Sequence, residues 1–261
     1  MRRLLLIWMA LAFLWMPGPG VAADASVSKQ PQEVVAAIDK DASKFSNQNT
    51  TLDDMRLESP PVSDPLEPWN RFVYSLNDLF YHGLLKPIAM LYAAILPEPV
   101  RVAVGNFFHN LAMPKHFVSA LLQGKIEVAG QELSRFLINT TLGGLGFFDV
   151  AETHFNLKSS DEDIGQALGN MGIGDSIYIE WPIIGPSTLR DTVGLAGDVL
   201  LNPLTYYPEN QWTRLEIYGV KLVNHTSLHV GEYEDLQKAA IDPYIALRDA
   251  YLQMRREQIK R

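Results

Sequence analysis

The amino-acid sequence predicts a mainly α-helical protein. From residue 64 onward the apolar residues recur at spacings of three and four, no long alternation of apolar and polar residues appears, and prolines and glycines divide the chain into helix-length segments. The 261-residue chain is 47% hydrophobic, which is enough to build a core and excludes a disordered chain.

The N-terminal segment carries an export signal rather than part of the fold. Residues 1–23 begin with two arginines, continue through an apolar run and end in Val21-Ala22-Ala23, which is typical of a secretory signal peptide. The apolar run is shorter than the roughly 20 residues that a membrane-spanning helix needs. Residues 24–63 are polar and end in Pro60-Pro61, so we expect a flexible tether.

The first predicted helix carries two opposite stripes and bends or ends at Pro87. The apolar stripe consists of Phe72, Leu76, Leu79 and Phe80, with Gly83 and Leu84 beyond them. The opposite, polar stripe consists of Asn70, Tyr74, Asn77, Asp78 and Tyr81.

Three further helices are predicted in the same way, over residues 100–111, 115–122 and 126–142. Gly124 is expected to end the second of these in the left-handed conformation. The helix over 126–142 is apolar on one side and carries polar residues on the other: Gln131, Glu132, Arg135 and Asn139.

A glycine-rich segment, Gly143–Phe148, follows with the sequence GGLGFF. It is too short for a helix and too apolar for an ordinary surface loop, so its exposure would indicate a surface for a partner, a membrane or a ligand. The residues that would form such a surface are Gly143, Gly144, Gly146, Phe147 and Phe148.

The remaining elements follow from local signals. Residues 165–174 are glycine-rich but match no nucleotide-binding motif, and residues 176–184 favour an edge strand cut by Pro182. We expect a turn over residues 185–187, and a helix that Ser187 or Thr188 caps and that runs to Pro203. Asp242 and Pro243 are typical of the start of the last helix, which leaves residues 257–261 as a basic tail.

Composition excludes several classes of function. The net charge of −8 argues against nucleic acid as a partner, because phosphate binding needs clustered Lys and Arg. The chain has no cysteine, so a disulfide framework, a thiolate metal site, a Cys nucleophile and the acylated cysteine of bacterial lipoproteins are all excluded.

The histidines give no clear metal site. His225 and His229 have a ligand-compatible spacing of four but lack the H-E-x-x-H pattern, so we interpret them as part of a solvated helix face. His109 and His116 are seven residues apart with Pro114 between them, so we expect no shared site. No metal and no cofactor are predicted.

Catalytic motifs are weak as well. The acidic run at 161–163 lacks the alternating pattern of a calcium loop and is interpreted as the polar start of a segment. No G-x-S-x-G elbow is present, and a lipid hydrolase would have to use Ser187 and His154. We therefore expect a protein that is not an enzyme.

Four ordered blocks carry a family resemblance: DPLEPWNR (64–71), FLINTTLGGLGFFDVA (136–151), the run from DEDIGQ to TLRD (161–191), and DPYIALRDAYLQ (242–253). Together they resemble the MlaA (VacJ) family over residues 64–256. The resemblance implies a ring-like bundle of amphipathic helices with a glycine-rich hairpin, interfacial in the outer membrane of Gram-negative bacteria.

The family removes phospholipid misplaced in the outer leaflet and passes it to a periplasmic carrier of the Mla type, and several members associate with trimeric porins. The resemblance thus implies phospholipid, the outer membrane, that carrier and a porin as partners. By the same analogy the polar stripe of the first helix would line the lipid path. Its apolar stripe would face acyl chains or core, and the glycine-rich segment would gate lipid entry.

The sequence departs from the family at a few positions. Asn170 and Met171 stand where the family has an imidazole and an aromatic residue, and Glu180 stands in a stretch that is usually apolar, so it is expected to face the periplasm, a neighbour or the pore. With no cysteine, buried apolar area and partners would have to hold the chain at the membrane. The alternative is a soluble periplasmic helical protein that binds a lipid or another ligand.

Overall fold

The computed structural model describes residues 64–260, which form helices joined by short turns. The signal peptide and the tether predicted over residues 1–63 lie outside the described residues. The helices are α1 (Glu67–Phe80), α2 (Lys86–Ile95), α3 (Glu98–Leu111), α4 (Met113–Leu122), α5 (Ile126–Thr141), α6 (Val150–Phe155), α7 (Ile164–Asn170), α8 (Leu189–Leu201), α9 (Gln211–Leu228), α10 (Glu232–Ala239) and α11 (Pro243–Lys260). The prediction of a mainly α-helical protein is confirmed.

A π-helical segment, Tyr81–Leu85, joins α1 to α2. There the N–H of Lys86 donates to the carbonyl of Tyr81, five residues back, instead of the usual four. This wider turn lies directly before Pro87, which has no N–H to donate and sits in the first turn of α2. Of the two outcomes expected at Pro87, a bend or an end of the helix, the end is ruled out, because the helical path continues to Ile95.

A short β-hairpin lies between α7 and α8. Its strands, β1 (Tyr178–Trp181) and β2 (Gly185–Thr188), pair in antiparallel fashion, with Tyr178 opposite Thr188. The predicted strand is confirmed, whereas the turn expected over residues 185–187 is wrong, since the chain reverses at 182–184 and Ile183 takes a positive φ of 67°. A proline in β2 is tolerated because a two-stranded sheet has only edge strands.

The caps of the last long helices follow the sequence signals. Thr188 caps α8 by accepting the N–H of Asp191 at 3.1 Å, and Asp242 caps α11 by accepting the N–H of Tyr244 at 3.1 Å. Residues 257–260, expected to belong to a basic tail, continue α11. Ile259 packs there against α7, so closely that a Cβ on Gly169 would lie 2.5 Å from it.

Ion pairs join the third block of the family resemblance, residues 161–191, to the last helix. The Arg255 guanidinium on α11 contacts the Asp163 carboxylate at 2.6 Å and the Asp191 carboxylate at 2.9 Å. Arg190 completes this ion-pair cluster, since its guanidinium lies 3.0 Å from the Asp191 carboxylate. These contacts connect α7, α8 and α11.

Large apolar side chains are more often exposed than buried in the described part of the chain. Among the described residues, 11 hydrophobic side chains are buried and six of these are alanines, whereas 39 large hydrophobic side chains are exposed. The buried set also contains 18 polar or charged residues. Helices therefore meet through small and polar side chains, while large apolar side chains point outward.

Within the described part of the chain, no single helix has both the length and the hydrophobicity of a membrane span. One pair of helical segments, Glu67–Ile95 and Glu98–Leu111, meets these criteria jointly but is bent by 117° at the junction.

Candidate functional site

The two asparagines in the polar stripe of α1 attach this helix to the β-hairpin. The Asn70 side chain is fully buried, donates to the Tyr178 carbonyl at 3.1 Å and accepts the N–H of Glu180 at 2.9 Å. Asn77 repeats the arrangement, since it donates to the Trp181 carbonyl at 3.0 Å and accepts the N–H of Ile183 at 2.8 Å. Both side chains thus satisfy backbone groups that β1 and its turn would otherwise leave unpaired.

Glu180 lies at the centre of this contact and is only 1% exposed. The Tyr178 hydroxyl donates to its carboxylate, and the Asn77 amide donates to it at 3.2 Å. Burial raises the pKa of Glu180, and the two hydrogen bonds offset this rise only in part. Glu180 was expected to face the periplasm, a neighbour or the pore, and in the structure it faces neighbouring side chains of the protein.

The other members of the polar stripe face α10. Gln237 donates to the Tyr74 hydroxyl at 3.0 Å and to the Asp78 carboxylate at 2.7 Å. The Tyr81 hydroxyl donates to Glu234 at 3.2 Å. Tyr74, Asp78 and Tyr81 remain partly exposed, and so does Asn77. Asn70 has no exposed surface, so it does not lie on an accessible path in this structure.

The opposite stripe of α1 points away from the protein interior. The Phe72 side chain is 62% exposed and that of Leu79 is 69% exposed; Leu76 is also exposed and Phe80 is partly buried. Of the two environments expected for this stripe, core is therefore ruled out for Phe72, Leu76 and Leu79.

The glycine-rich segment (Gly143–Phe148) reverses the chain through consecutive turns, without strand pairing. Its backbone is well satisfied: the N–H of Gly146 donates to the Asn139 carbonyl at 2.8 Å, and the N–H of Phe148 donates to the Gly143 carbonyl at 2.9 Å. Gly144 and Gly146 take φ values of 61° and 91°, which glycine adopts without strain.

One side chain of the segment is anchored inward and two point outward. The Phe147 ring stacks on Phe107 of α3 at a centroid distance of 4.9 Å, and Asn106 donates to the Phe147 carbonyl at 3.3 Å. Leu145 and Phe148 are 65% and 44% exposed. The segment therefore presents apolar surface on a backbone that the protein holds in place.

A buried polar network supports the glycine-rich segment from α5. Asn139 donates to the Asp149 carboxylate at 2.9 Å, and Arg135 pairs with the same carboxylate at 2.6 Å. Burial raises the pKa of Asp149, but the hydrogen bonds from Arg135 and Asn139 lower it by more than burial raises it. The pKa is therefore below the ordinary value. A small cavity lies beside this network, and Arg135 and Asn139 line it. Its other lining residues are His109, Asn110, Met113, Glu132 and Phe136.

Two histidines for which the sequence predicts no shared site lie side by side. The rings of His109 on α3 and His116 on α4 stack at a centroid distance of 5.0 Å. The expectation that Pro114 separates them is wrong, because this proline occupies the first turn of α4, where a proline fits the helix. Asp161 contacts His109 at 3.5 Å.

The residues considered for catalysis have other partners. The Ser187 hydroxyl is buried and contacts the Thr188 carbonyl and the Thr192 hydroxyl, each at 3.2 Å. No histidine contacts Ser187 among the described residues, and His154 is exposed on α6. Asp163 caps α7 by accepting the N–H of Gln166 at 2.8 Å, which confirms the interpretation of the acidic run as the start of a segment.

Comparison with known proteins gives consistent matches. The family model described as MlaA lipoprotein matches residues 62–258. The chain is 33% identical over 198 residues to the intermembrane phospholipid transport system lipoprotein MlaA of Shigella flexneri, covering 73% of this chain and 76% of that protein. It is 32% identical to the protein of the same name in Escherichia coli K12, with the same coverage. An uncharacterised protein of Rickettsia typhi is 32% identical over 200 residues, which cover 76% of this chain and 79% of that protein.

A solved structure concerned with the structural basis for maintenance of bacterial outer membrane lipid asymmetry superimposes with a TM-score of 0.63 and 30% identity. The match covers 76% of this chain and 99% of the solved chain. Since the family model covers most of the chain and relatives above 30% identity match over most of their length, the chain belongs to the MlaA family.

Proposed function

We propose that this protein translocates phospholipid at the outer membrane: it removes misplaced phospholipid from the outer leaflet and passes it to a periplasmic carrier of the Mla type. Two of the relatives are named for intermembrane phospholipid transport, and the solved relative concerns outer membrane lipid asymmetry. The step needs no covalent chemistry, no metal and no cofactor.

The observation that carries the proposal is the outward orientation of large apolar side chains. Soluble proteins rarely expose contiguous apolar surface, because water penalises it. In a bilayer the penalty disappears, and helices associate through small and polar residues instead. The described residues match the bilayer case, because they combine buried alanines and buried polar pairs with 39 exposed large hydrophobic residues.

The helices would then lie in the membrane interface, with Phe72, Leu76 and Leu79 against acyl chains. Tyr74, Asn77, Asp78 and Tyr81 are the members of the polar stripe whose exposed parts can meet a lipid headgroup. The glycine-rich segment, with its exposed Leu145 and Phe148, is the proposed gate for lipid entry.

The apolar surface also serves as the proposed membrane anchor. The sequence contains no cysteine to acylate, and burial of apolar surface contributes roughly 25 cal/mol per Å². A few exposed side chains on α1 and α2 therefore suffice for several kcal/mol of binding. Export through the signal peptide of residues 1–23, and association with a trimeric porin, complete the proposal.

Flotation with vesicles of phosphatidylethanolamine and phosphatidylglycerol tests the membrane contact. Burying one Leu or Phe side chain is worth about 1.5–3 kcal/mol, and 1.4 kcal/mol is about tenfold in an equilibrium constant. The double variant Phe72→Ser, Leu79→Ser should therefore bind vesicles about 100-fold more weakly or worse. The control Phe72→Leu, Leu79→Ile retains the apolar surface and should bind normally. A serine variant that binds like the wild type, and a wild type released by osmotic shock, would support the soluble binding protein instead.

A second measurement tests transport and the gate. In cells lacking the protein, surface phosphatidylethanolamine is labelled with an amine-reactive reagent that does not cross membranes; the wild-type gene should lower the labelling. Stiffening the segment by Gly144→Pro is unsuitable, because proline requires a φ near −65° and Gly144 has a φ of 61°. Phe147→Ala removes the stacking on Phe107 and should raise the labelling, whereas Phe155→Ala on the exposed face of α6 should not. Normal labelling in cells with Phe147→Ala would count against the gate.

A further inference from the structure

The stacked histidines and Asp161 bring together three metal-binding groups from three separate elements. His109 is on α3, His116 is on α4, and Asp161 is in the loop before α7. One ligand atom from each of the three residues lies within 4.8 Å of the others. Ligands about 2.0–2.1 Å from a tetrahedral zinc ion are about 3.4 Å apart, and the His109–Asp161 contact of 3.5 Å is already at that spacing.

The hydrogen bonds of the two rings leave one nitrogen of each for a cation. His116 Nδ1 lies 2.8 Å from the Glu162 carbonyl, which can only accept, so Nδ1 is the donor and the lone pair of the neutral ring is at Nε2. His109 Nε2 lies 2.8 Å from the Ser159 hydroxyl, which leaves Nδ1 toward Asp161. Histidine ligands of metals typically donate their second N–H to a carbonyl or another oxygen in this manner.

Access and backbone conformation agree with a cation site. His116 is buried, whereas the Asp161 side chain is 76% exposed and leaves the cluster open to solvent on one side. Asp161 also takes a positive φ of 44°, a conformation that costs energy for residues other than glycine and that is often associated with a functional site.

We propose that His109, His116 and Asp161 bind a divalent transition cation, for which Zn²⁺ is the best match. Two imidazoles and one carboxylate are a common zinc ligand set, with water in the fourth position. The exposed Asp161 closes the site by a small rotation, because the other two ligands are already stacked in place. The cation joins the α3–α4 corner to the loop at 159–161.

The site adjoins the polar cavity described above. His109 lines that cavity, and the backbone N–H of Ser160 donates to Glu132, another of its lining residues, at 2.9 Å. Binding of the cation therefore fixes one wall of the cavity and stabilises the fold.

Calorimetric titration with Zn²⁺ tests the site. The full chain is purified in detergent without a polyhistidine tag, treated with EDTA and titrated; we expect one Zn²⁺ per chain. Asp161→Asn retains a residue that tolerates positive φ and should weaken binding by about tenfold or more. Ser159→Ala removes the partner of His109 and should weaken binding by about 10- to 100-fold, the range seen when such supporting hydrogen bonds are lost.

The His225→Ala, His229→Ala double variant is the matched control, because it removes the other stacked histidine pair, whose rings are 4.4 Å apart on α9 and just beyond its end. It should bind Zn²⁺ like the wild type. Thermal melting provides a second readout: Zn²⁺ should raise the melting temperature of the wild type but not that of Asp161→Asn. A wild type that takes up no Zn²⁺, an unchanged affinity of Asp161→Asn, or loss of binding in the control would each overturn the proposal.

Discussion

Replacing Arg255 with methionine should destabilise the protein more than any surface substitution. The Arg255 side chain is only 7% exposed and contacts two carboxylates, those of Asp163 and Asp191. Methionine fills much of the same volume but leaves both carboxylates without their main partner. Breaking a buried ion pair on one side costs about 3–5 kcal/mol, because a charge is left buried and uncompensated.

The expected size of the effect follows from this cost. For a folded domain of about 200 residues, 1 kcal/mol corresponds to a shift of about 2–4 °C in melting temperature. Arg255→Met should therefore melt about 6–20 °C below the wild type. Arg255→Lys should lie between the two, because lysine keeps the charge but cannot contact both carboxylates with a planar fork.

The same ion-pair cluster should make the stability of the fold depend on pH. Burial raises the pKa of Asp191, but the hydrogen bonds from Arg255 and Arg190 lower it by more than burial raises it, so that the pKa is about 2. Because the folded-state pKa lies below the ordinary value of 3.8, this carboxylate stabilises the fold above pH 4, by roughly 2 kcal/mol. That contribution is lost as the pH falls from 4 to 2. Arg255→Met should show a shallower loss of stability over the same interval.

Thermal melting followed by circular dichroism, in one detergent and at several pH values, measures both effects. Arg256→Met is the control, because Arg256 is a neighbour in sequence and pairs with Asp175 at 3.0 Å but is partly exposed. It should cost no more than about 1 kcal/mol. The reasoning is refuted if Arg255→Met melts within about 2 °C of the wild type or no lower than Arg256→Met.

Three further predictions use melting temperature as the readout. Since the pKa of Glu180 is raised, the stability contributed by this group is present below pH 4.5 and lost as the pH rises through the folded-state value. Glu180→Gln should therefore melt above the wild type at pH 8 but not at pH 4; equal melting at pH 8 would contradict this. Gly146→Ala should lower the melting temperature, because the new Cβ would lie 2.6 Å from the Asn110 side chain. Gly124→Ala is the control, since Gly124 has a similar positive φ but open space around it. Equal losses of melting temperature in the two variants would rule out the steric explanation. Asn70→Ala should cost about 1–3 kcal/mol for each buried backbone group left unpaired, and a neutral effect would disprove its role as a joint.

Local signals in the sequence predicted most of the helical architecture. Gly124 indeed ends the α4 region with a φ of 73°, and Thr188 and Asp242 cap the helices that follow them. Such features depend on neighbours within a few residues, so one segment contains all the information they require. The continuation of the helical path past Pro87 is harder to predict, because the π turn before it depends on the spacing of a longer stretch of helix.

The site was less predictable because its partners are distant in sequence. Asn70 and Asn77 look like one polar face of a helix, but they pair with a β-hairpin more than 100 residues away. Glu180 was the one signal available, since a carboxylate in an apolar stretch requires a partner. Nothing in the spacing of His109 and His116 reveals that α3 and α4 fold back so that their rings stack.

The π segment between α1 and α2 resolves an irregularity in the spacing of exposed apolar residues. One row of these residues is spaced three or four apart along the path, except for a gap of five between Leu79 and Leu84. In a regular α-helix such an insertion would rotate everything that follows away from the preceding row. A turn that takes up one more residue falls at this position, so the rows remain aligned. They form one edge, about 35 Å long at 1.5 Å per residue, which consists of Phe72, Leu76, Leu79, Leu84, Ile88, Leu91 and Ile95.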